Sequence, residues 1–398
     1  MLAPAGVRRR VVMIAQTAYP HDVRVRRAAE ALRGAGFDVD VVCIREPDTA
    51  PALELIKGVR AIRLPIARRR GSRLRYVVEY AGFFALACIV VSLLHLRRRY
   101  DLIHVHTLPD ALVFAALPAR LLGARILLDM HDPMPDLLAS KYGLSDRHPL
   151  VRLAAAVEQA AVGFADRVVT VHEPIRQLFI RRGAPPDKIG VVMNLVDQAD
   201  FPRRLHPPQP EKGRFIVIYA GLVSARYGLD LALQAVSLLR RDIPGLLLRI
   251  VGRGDYLEDL CHLSRELDIE AHVEFIPQVP HAEVWRLLQE ADVGISPHRP
   301  EIAPLSLSNK VYEYVAVGVP AIVPRTDCLQ YYYPEDVLRF FNPGDAADLA
   351  QAILDLYHSR EERQARITAG WRLTDRWNWQ EERARFVSIV DGLLDHRS

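Results

Sequence analysis

Short, continuously apolar runs alternate with longer stretches of helical period along most of the chain. Runs at 11–16, 37–44, 59–65, 101–106, 125–130, 167–171 and 190–196 predict strands. The first opens with Val11-Val12-Met13-Ile14-Ala15, apolar throughout rather than alternating, which means a strand covered on both faces, as in a parallel sheet. Helical patterns at 23–34, 111–122 and 151–164, and another following residue 172, fall between these runs. Gly34 and Gly36 end the first of these, because glycine accepts the left-handed conformation that closes many helices. Residues 200–213, DFPRRLHPPQPEKG, lose apolar periodicity and are rich in proline and charge, which predicts a linker. The pattern then restarts. Strands are expected at 215–219, 246–251, 273–276, 293–297 and 319–323. Helices are expected at 228–240, 256–267, 281–290 and 310–317, then 345–358, 360–372 and 377–394. The prediction is an α/β protein of two Rossmann-like, doubly wound domains, 1–199 and 214–375, facing a central cleft. Residues 376–398 are expected to form a helix packing back on the first domain. A cleft between two such domains is the default ligand site.

One stretch complicates this picture. Residues 77–96 are apolar over about the length a membrane-spanning helix needs. They contain Glu79 and His95, and basic residues flank both ends, so no orientation is favoured. The expectation is a buried helix, with a sharper alternative in which the 68–99 region touches an anionic membrane surface. No signal peptide is expected, since the apolar run after Arg8, Arg9 and Arg10 is too short. The net charge of +4 over 398 residues is too mild to argue for a nucleic-acid partner. Cys43, Cys88, Cys261 and Cys328 are far apart in apolar surroundings, which predicts buried, reduced thiols and a cytoplasmic protein, peripheral on the membrane if the basic helix binds there.

Candidate chemistry concentrates in a few places. Residues 306–309 form a polar loop, Lys310 and Glu313 share one helical face in a first turn, and Gly318 can end that helix. Unpaired N–H groups, a Lys and a Glu there can hold a phosphorylated, hydroxyl-rich ligand, although a surface ion pair gives the same pattern. His131-Asp132 follows a strand, where ligands sit in open α/β sheets. His104-x-His106 shares one strand face and could ligate zinc, so a metal hydrolase has to be weighed. Asp38-Val39-Asp40 spells D-x-D, which a strand entrance explains as well. There is no G-x-G-x-x-G after the first strand, so a nicotinamide dehydrogenase is unsupported.

Taken in order, several pieces resemble family 4 retaining glycosyltransferases of GT-B architecture. They are Tyr219-Ala220-Gly221-(x)4-Arg226-Tyr227-Gly228-Leu229, Val251-Gly252-x-Gly254, Ala291-Asp292-Val293-Gly294-Ile295-x-Pro297, and Asn309-Lys310-(x)2-Glu313-Tyr314-(x)3-Gly318-x-Pro320. The first half adds Tyr19-Pro20-x-Asp22-x-Arg24, His104-x-His106 and Asp129-x-His131-Asp132-x-Met134-Pro135. The resemblance implies a nucleoside-diphosphate sugar as donor and co-substrate, with no cofactor and no metal. It implies donor contacts from Gly221, Arg226, Gly252, Asn309, Lys310 and Glu313, and catalytic roles for His131, Arg226 and Lys310. A sugar or lipid-linked acceptor would lie near Tyr19, Asp22, Arg24 and Asp132. The first Glu of the family's E-x7-E falls at Leu305, which leaves a non-catalytic nucleotide-sugar binder, or an epimerase or hydrolase on the same frame, as alternatives.

Overall fold

A computed structural model describes residues 8–45, 50–66, 73–204, 213–301 and 305–395. Most of the basic run at 68–75 and of the expected linker lies outside these residues. The chain divides into two compact units, residues 1–194 with 382–398, and residues 195–381.

In the first unit the order is β1 (Arg10–Ala18), α1 (Val23–Gly34), β2 (Asp38–Ile44), β3 (Leu53–Ile56), β4 (Val59–Leu64), α2 (Arg73–Arg98) and β5 (Leu102–His106). Then come α3 (Leu117–Leu121), β6 (Arg125–Met130), α4 (Met134–Tyr142), α5 (Pro149–Phe164), β7 (Arg167–Thr170), α6 (Glu173–Arg181) and β8 (Ile189–Val191). The strands line up as β3-β4-β2-β1-β5-β6-β7-β8. All pairs are parallel except β3 with β4, a short edge hairpin that the apolar pattern does not reveal. The order reverses between β1 and β5, and open α/β sheets bind ligands beyond the strand ends at such a reversal.

The second unit runs β9 (Phe215–Ala220), α7 (Leu229–Leu239), β10 (Leu246–Val251), α8 (Leu257–Glu266), β11 (Val273–Ile276), α9 (His281–Glu290) and β12 (Val293–Ile295). It continues with α10 (Asn309–Val317), β13 (Ala321–Pro324), α11 (Asp327–Tyr332), β14 (Leu338–Phe341), α12 (Ala346–His358) and α13 (Arg360–Arg376). Its sheet is parallel, in the order β11-β10-β9-β12-β13-β14, with its reversal between β9 and β12. The last helix, α14 (Trp379–Asp395), has most of its length in the first unit. There Glu382 accepts from the Met193 N–H at 2.8 Å, and Phe386 packs on His104.

Several expectations need correction. The break between units falls at 194/195, ahead of residues 200–213. Phe201 is fully buried, and Arg204 donates from its backbone to Val317 O and from its guanidinium to Ala291 O, which ties 195–204 to the second unit. The helix expected at 111–122 is a 3-10 segment, Asp110–Ala116, followed by α3. Pro118 explains the break, because proline fits a helix's first turn but not its interior. Cys88 and Cys261 are half-buried rather than buried. Asp40 is buried on β2, between β4 and β1, in an ion-pair network with Arg60, Arg98 and the Tyr100 hydroxyl rather than in a set of metal ligands.

The largest correction concerns α2. Among the described residues of α2, Phe83, Ala87 and Val91 are fully buried in the sheet core, and His95 continues the same stripe at helical spacing. Val77, Val78, Ile89, Leu93 and Leu96 are exposed, and 17% of the most apolar 18-residue window is buried. A uniformly apolar helix hides which face is covered, so sequence alone could not separate a buried helix from a half-exposed one.

Candidate functional site

The reversal in the second unit carries the densest chemistry. Tyr314 on α10 fixes its geometry. The Tyr314 hydroxyl donates toward the carbonyls of Ile218 and Ile295, 3.3 and 3.2 Å away, and accepts from the Ala220 N–H at 3.4 Å. That ties α10 to β9 and β12 and puts its N-terminus beside the loop that begins at Gly221. Gly221 has φ of 154°, and a Cβ there would meet Lys310 Cε at 3.2 Å and Nζ at 3.5 Å. A side chain at Gly252 would collide with Gly221 O at 1.9 Å, so two strand-end loops touch backbone to backbone.

Lys310 is 9% exposed, with its ammonium 4.8 Å from the Tyr219 ring centroid and 5.2 Å from that of Tyr227. It donates to Ser308 Oγ at 3.0 Å. Burial pushes its pKa down to about 8, and the Glu313 charge one turn later opposes that shift. Glu313 is 8% exposed, so the surface-ion-pair reading of these two residues does not hold. Arg226 and Asn309 are exposed, and Arg226 lies over the Tyr227 ring with Nη2 donating to its hydroxyl at 3.0 Å. An exposed cation, a buried cation and a helix N-terminus around glycine backbone form an anion site in waiting. Next to it, a cavity of about 610 Å³ is lined by Gly252, Arg253, Leu257 and the 275–280 loop.

His298 is a residue the motif reading passed over. It is buried, accepts from or donates to Ser296 Oγ at 3.1 Å, and meets the Tyr227 ring edge-on. Burial, then the charges of Lys310 and Arg226, hold its pKa well below the usual histidine range, so it is neutral. Leu305 is half-buried.

At the reversal in the first unit, the acceptor assignments fare unevenly. Tyr19 is core: its phenol is buried, and burial pushes its pKa up to about 12. Asp22 caps α1, accepting from the N–H groups of Arg24 and Val25. Arg24 is committed to Asp129, with Nε 3.1 and 3.0 Å from the two carboxylate oxygens. These three are structural groups in the first place, and Asp132 is the exposed one of the four. His131 is partly exposed. Its Nε2 lies 3.3 Å from His106 Nδ1, and its backbone N–H donates to Thr107 Oγ1 at 3.2 Å. Burial, and then Arg24, bring its pKa down to about 4 against the pull of Asp129. Asp110 was also missed. It is buried with neither carboxylate oxygen partnered among the described residues, and burial with the nearby Glu158 and Asp132 charges pushes it up to about 7. Atoms of His104, His106 and Asp129 lie within 4.8 Å of one another, which is close enough for a metal. The Arg24 guanidinium on both Asp129 oxygens opposes a further cation there.

Comparison with known proteins agrees with this layout. A family model described as a glycosyl transferase 4-like domain matches residues 21–194, and one for glycosyl transferases group 1 matches residues 203–372. A GDP-mannose-dependent alpha-(1-6)-phosphatidylinositol monomannoside mannosyltransferase from Mycolicibacterium smegmatis is 30% identical over 194 residues, 46% of this chain and 50% of that protein. The chain thus spans about half the length of that relative. A glycogen synthase from Mycobacterium tuberculosis is 28% identical over 89% of this chain and 87% of its own. Among solved structures, sucrose-phosphate synthase from Thermosynechococcus elongatus superposes with a TM-score of 0.79 at 20% identity, covering 98% of this chain and 100% of that one. Anabaena Alr3699/HepE in complex with UDP-glucose gives 0.72 at 15% identity, covering 96% and 99%. The two matched domains, in this order on two parallel α/β sheets, place the chain in the family 4 type glycosyltransferases of GT-B architecture.

Proposed function

We propose that the protein transfers a glycosyl group from a nucleoside-diphosphate sugar to a hydroxyl acceptor with retention of anomeric configuration and without a divalent metal. The observation that carries this reading is the buried Lys310 ammonium at the N-terminus of α10, against the backbone of Gly221 and near the exposed Arg226. In the reaction the bond between the anomeric carbon and the diphosphate oxygen breaks, and its electron pair goes to the diphosphate. Lys310, Arg226 and the helix N-terminus stabilise that charge, a task a metal performs elsewhere. The acceptor oxygen bonds to the anomeric carbon from the leaving-group side, and its proton passes to the departing phosphate. The family resemblance assigns His131 to the donor sugar near that carbon. The 610 Å³ cavity beside Gly252 takes the base. A thermal-shift and turnover screen over UDP, GDP, ADP and dTDP sugars tests this. Saturable stabilisation by one nucleotide class and sugar transfer are expected. Release of free sugar or an epimer would replace the reading with a hydrolase or epimerase. Stabilisation with no turnover would favour a non-catalytic binder, the reading that the missing carboxylate at Leu305 supports.

The acceptor proposed is lipid-linked, in cell-surface glycan synthesis at the inner face of the membrane. The exposed apolar side of α2 supports it: α3, which packs against α2, adds exposed Leu117, Leu121 and Leu122. Such a patch is unusual for a soluble surface. Arg97 and Arg99 lie at the end of α2, where anionic headgroups would meet them. One relative's name also specifies a phosphatidylinositol-based acceptor. The chain is expected to co-float with anionic liposomes and to lose that binding when Leu93 and Leu96 become serine. No co-flotation at low salt would remove the membrane proposal.

A further inference from the structure

We propose that Arg24, Asp129 and His106 form a buried chain of positioning residues that fixes His131 in its Nδ1–H tautomer, so that it offers a neutral N–H donor to the substrate. This rests on the reading of His131 as the residue that meets the donor sugar.

The argument begins with Asp129. It is 3% exposed at the end of β6, and Arg24 Nε lies 3.1 and 3.0 Å from its two oxygens, with Nη2 donating to Oδ1 as well. Arg24 is held in turn by Val192 O, 3.3 Å from Nη1. The carboxylate is therefore ionised and cannot turn. His106 Nδ1 lies 3.4 Å from Asp129 Oδ2 and 3.3 Å from His131 Nε2, while His106 Nε2 is buried with no partner among the described residues. The neutral ring has one hydrogen to place. On Nε2 it would be a buried donor without an acceptor, and the Nδ1 lone pair would face a carboxylate oxygen. On Nδ1 it lies between two acceptors. The second arrangement is favoured, because an unmade N–H bond in the interior costs about 1–3 kcal/mol.

His131 then follows. Its Nε2 faces the His106 N–H and must be the bare nitrogen, so its own hydrogen is on Nδ1. The alternative donor path, His131 Nε2 to Asp129 Oδ1, is 3.7 Å, too long for a hydrogen bond. The bond from the His131 backbone to Thr107 and the edge-on packing of the His106 and His131 rings, 5.5 Å between centroids, hold the orientation. His104, fully buried with its ring 4.2 Å from that of His106, closes the other side. The groups facing His131 are Asp129, Arg24, Asp22, His104 and His106; burial, Arg24 and His104 keep it neutral against the pull of Asp129 and Asp22.

The same side-chain atoms could instead hold zinc, and the tests separate the two. Long-range nitrogen–proton NMR of the full chain, with the His131 signals assigned by their loss in His131→Gln, reads the tautomer directly. Nδ1–H at neutral pH is expected. Nε2–H, or a doubly protonated ring, would overturn the proposal, as would zinc retained in one-to-one ratio by the purified chain. His106→Asn keeps an amide N–H near the Nδ1 position, and His106→Phe removes it. The Phe variant is expected to lose at least roughly tenfold in kcat with donor KM little changed, while the Asn variant stays within a few-fold of the parent. Two variants equally active with the parent would also overturn it. If His106→Phe does not fold, the NMR result decides. Full activity of His131→Ala would sink the reading of the site while leaving the tautomer result standing.

Discussion

Lys310→Ala is expected to lower kcat/KM for the nucleotide-sugar donor by about 10²–10³, roughly 3–4 kcal/mol, the usual loss when one preorganised donor to a developing anion is removed. The size follows from burial. An exposed lysine is screened by water, but this ammonium is 9% exposed and held between two aromatic rings, so its field on a bound diphosphate is little diluted. The fold should survive. Its hydrogen bond to Ser308 is local, and a lysine whose pKa has fallen to about 8 gains little from being charged in the ligand-free protein. That value also gives a direction in pH. The free enzyme loses the positive charge as pH rises through about 8, so kcat/KM should decline on that side, and Lys310→Arg should remove the decline. Initial rates with the parent and both variants, beside melting curves, check this. Near-normal turnover in the alanine variant would end the assignment of Lys310.

Why this helix was readable while its surroundings were not comes down to range. Residues 309–318 carry their own signals: a polar entry, apolar residues at helical spacing (Val311, Tyr314, Val315), Gly318 to stop it and an apolar strand after it. The first unit's opening is similar, since Val23 to Gly34 is bounded by Asp22 and by glycine. Local chemistry of this kind survives in a one-dimensional pattern. The Arg24–Asp129 pair does not, because its members are 105 residues apart and only the β1–β5–β6 pairing brings them together. His298 was invisible for the same reason: its neighbours Lys310 and Tyr227 arrive from α10 and from the turn ahead of α7. Strand β14 and helix α11 were missed because LRFF and DCLQYY are too short to show a period. The motif positions Gly221, Gly252 and Lys310 therefore converge on the second sheet's reversal, where the proposed donor site lies. The acceptor residues taken from the motif at 19–24 turned out to be largely fold-forming.

Arg24→Ala should destabilise the first unit by about 3–5 kcal/mol, the cost of stranding a buried carboxylate, far more than a surface ion pair is worth. Asp129 lies at the centre of that cost. Arg24 and the surrounding imidazoles hold its pKa well below the ordinary carboxylate value despite burial. Without Arg24, either the carboxylate takes up a proton or the pocket opens to water. The stability this pair contributes is present above the unfolded carboxylate pKa and is lost as pH falls through the lower folded value. The buried imidazoles add to the acid limb with the same sign. His106 and His131 are neutral in the folded chain at pH values where the unfolded chain already protonates them, so stability begins to fall below about 6.5. Urea unfolding of the parent and of Arg24→Ala at pH 7.5 measures the pair's contribution, and the parent at pH 5 reads the imidazole limb, with its midpoint expected to fall on acidification. A paired apolar replacement, Arg24→Met with Asp129→Leu, should recover much of what Arg24→Ala loses, because no charge is left stranded. A loss below about 1 kcal/mol for Arg24→Ala alone would place the pair with exposed ion pairs and undo its role as the anchor behind His131.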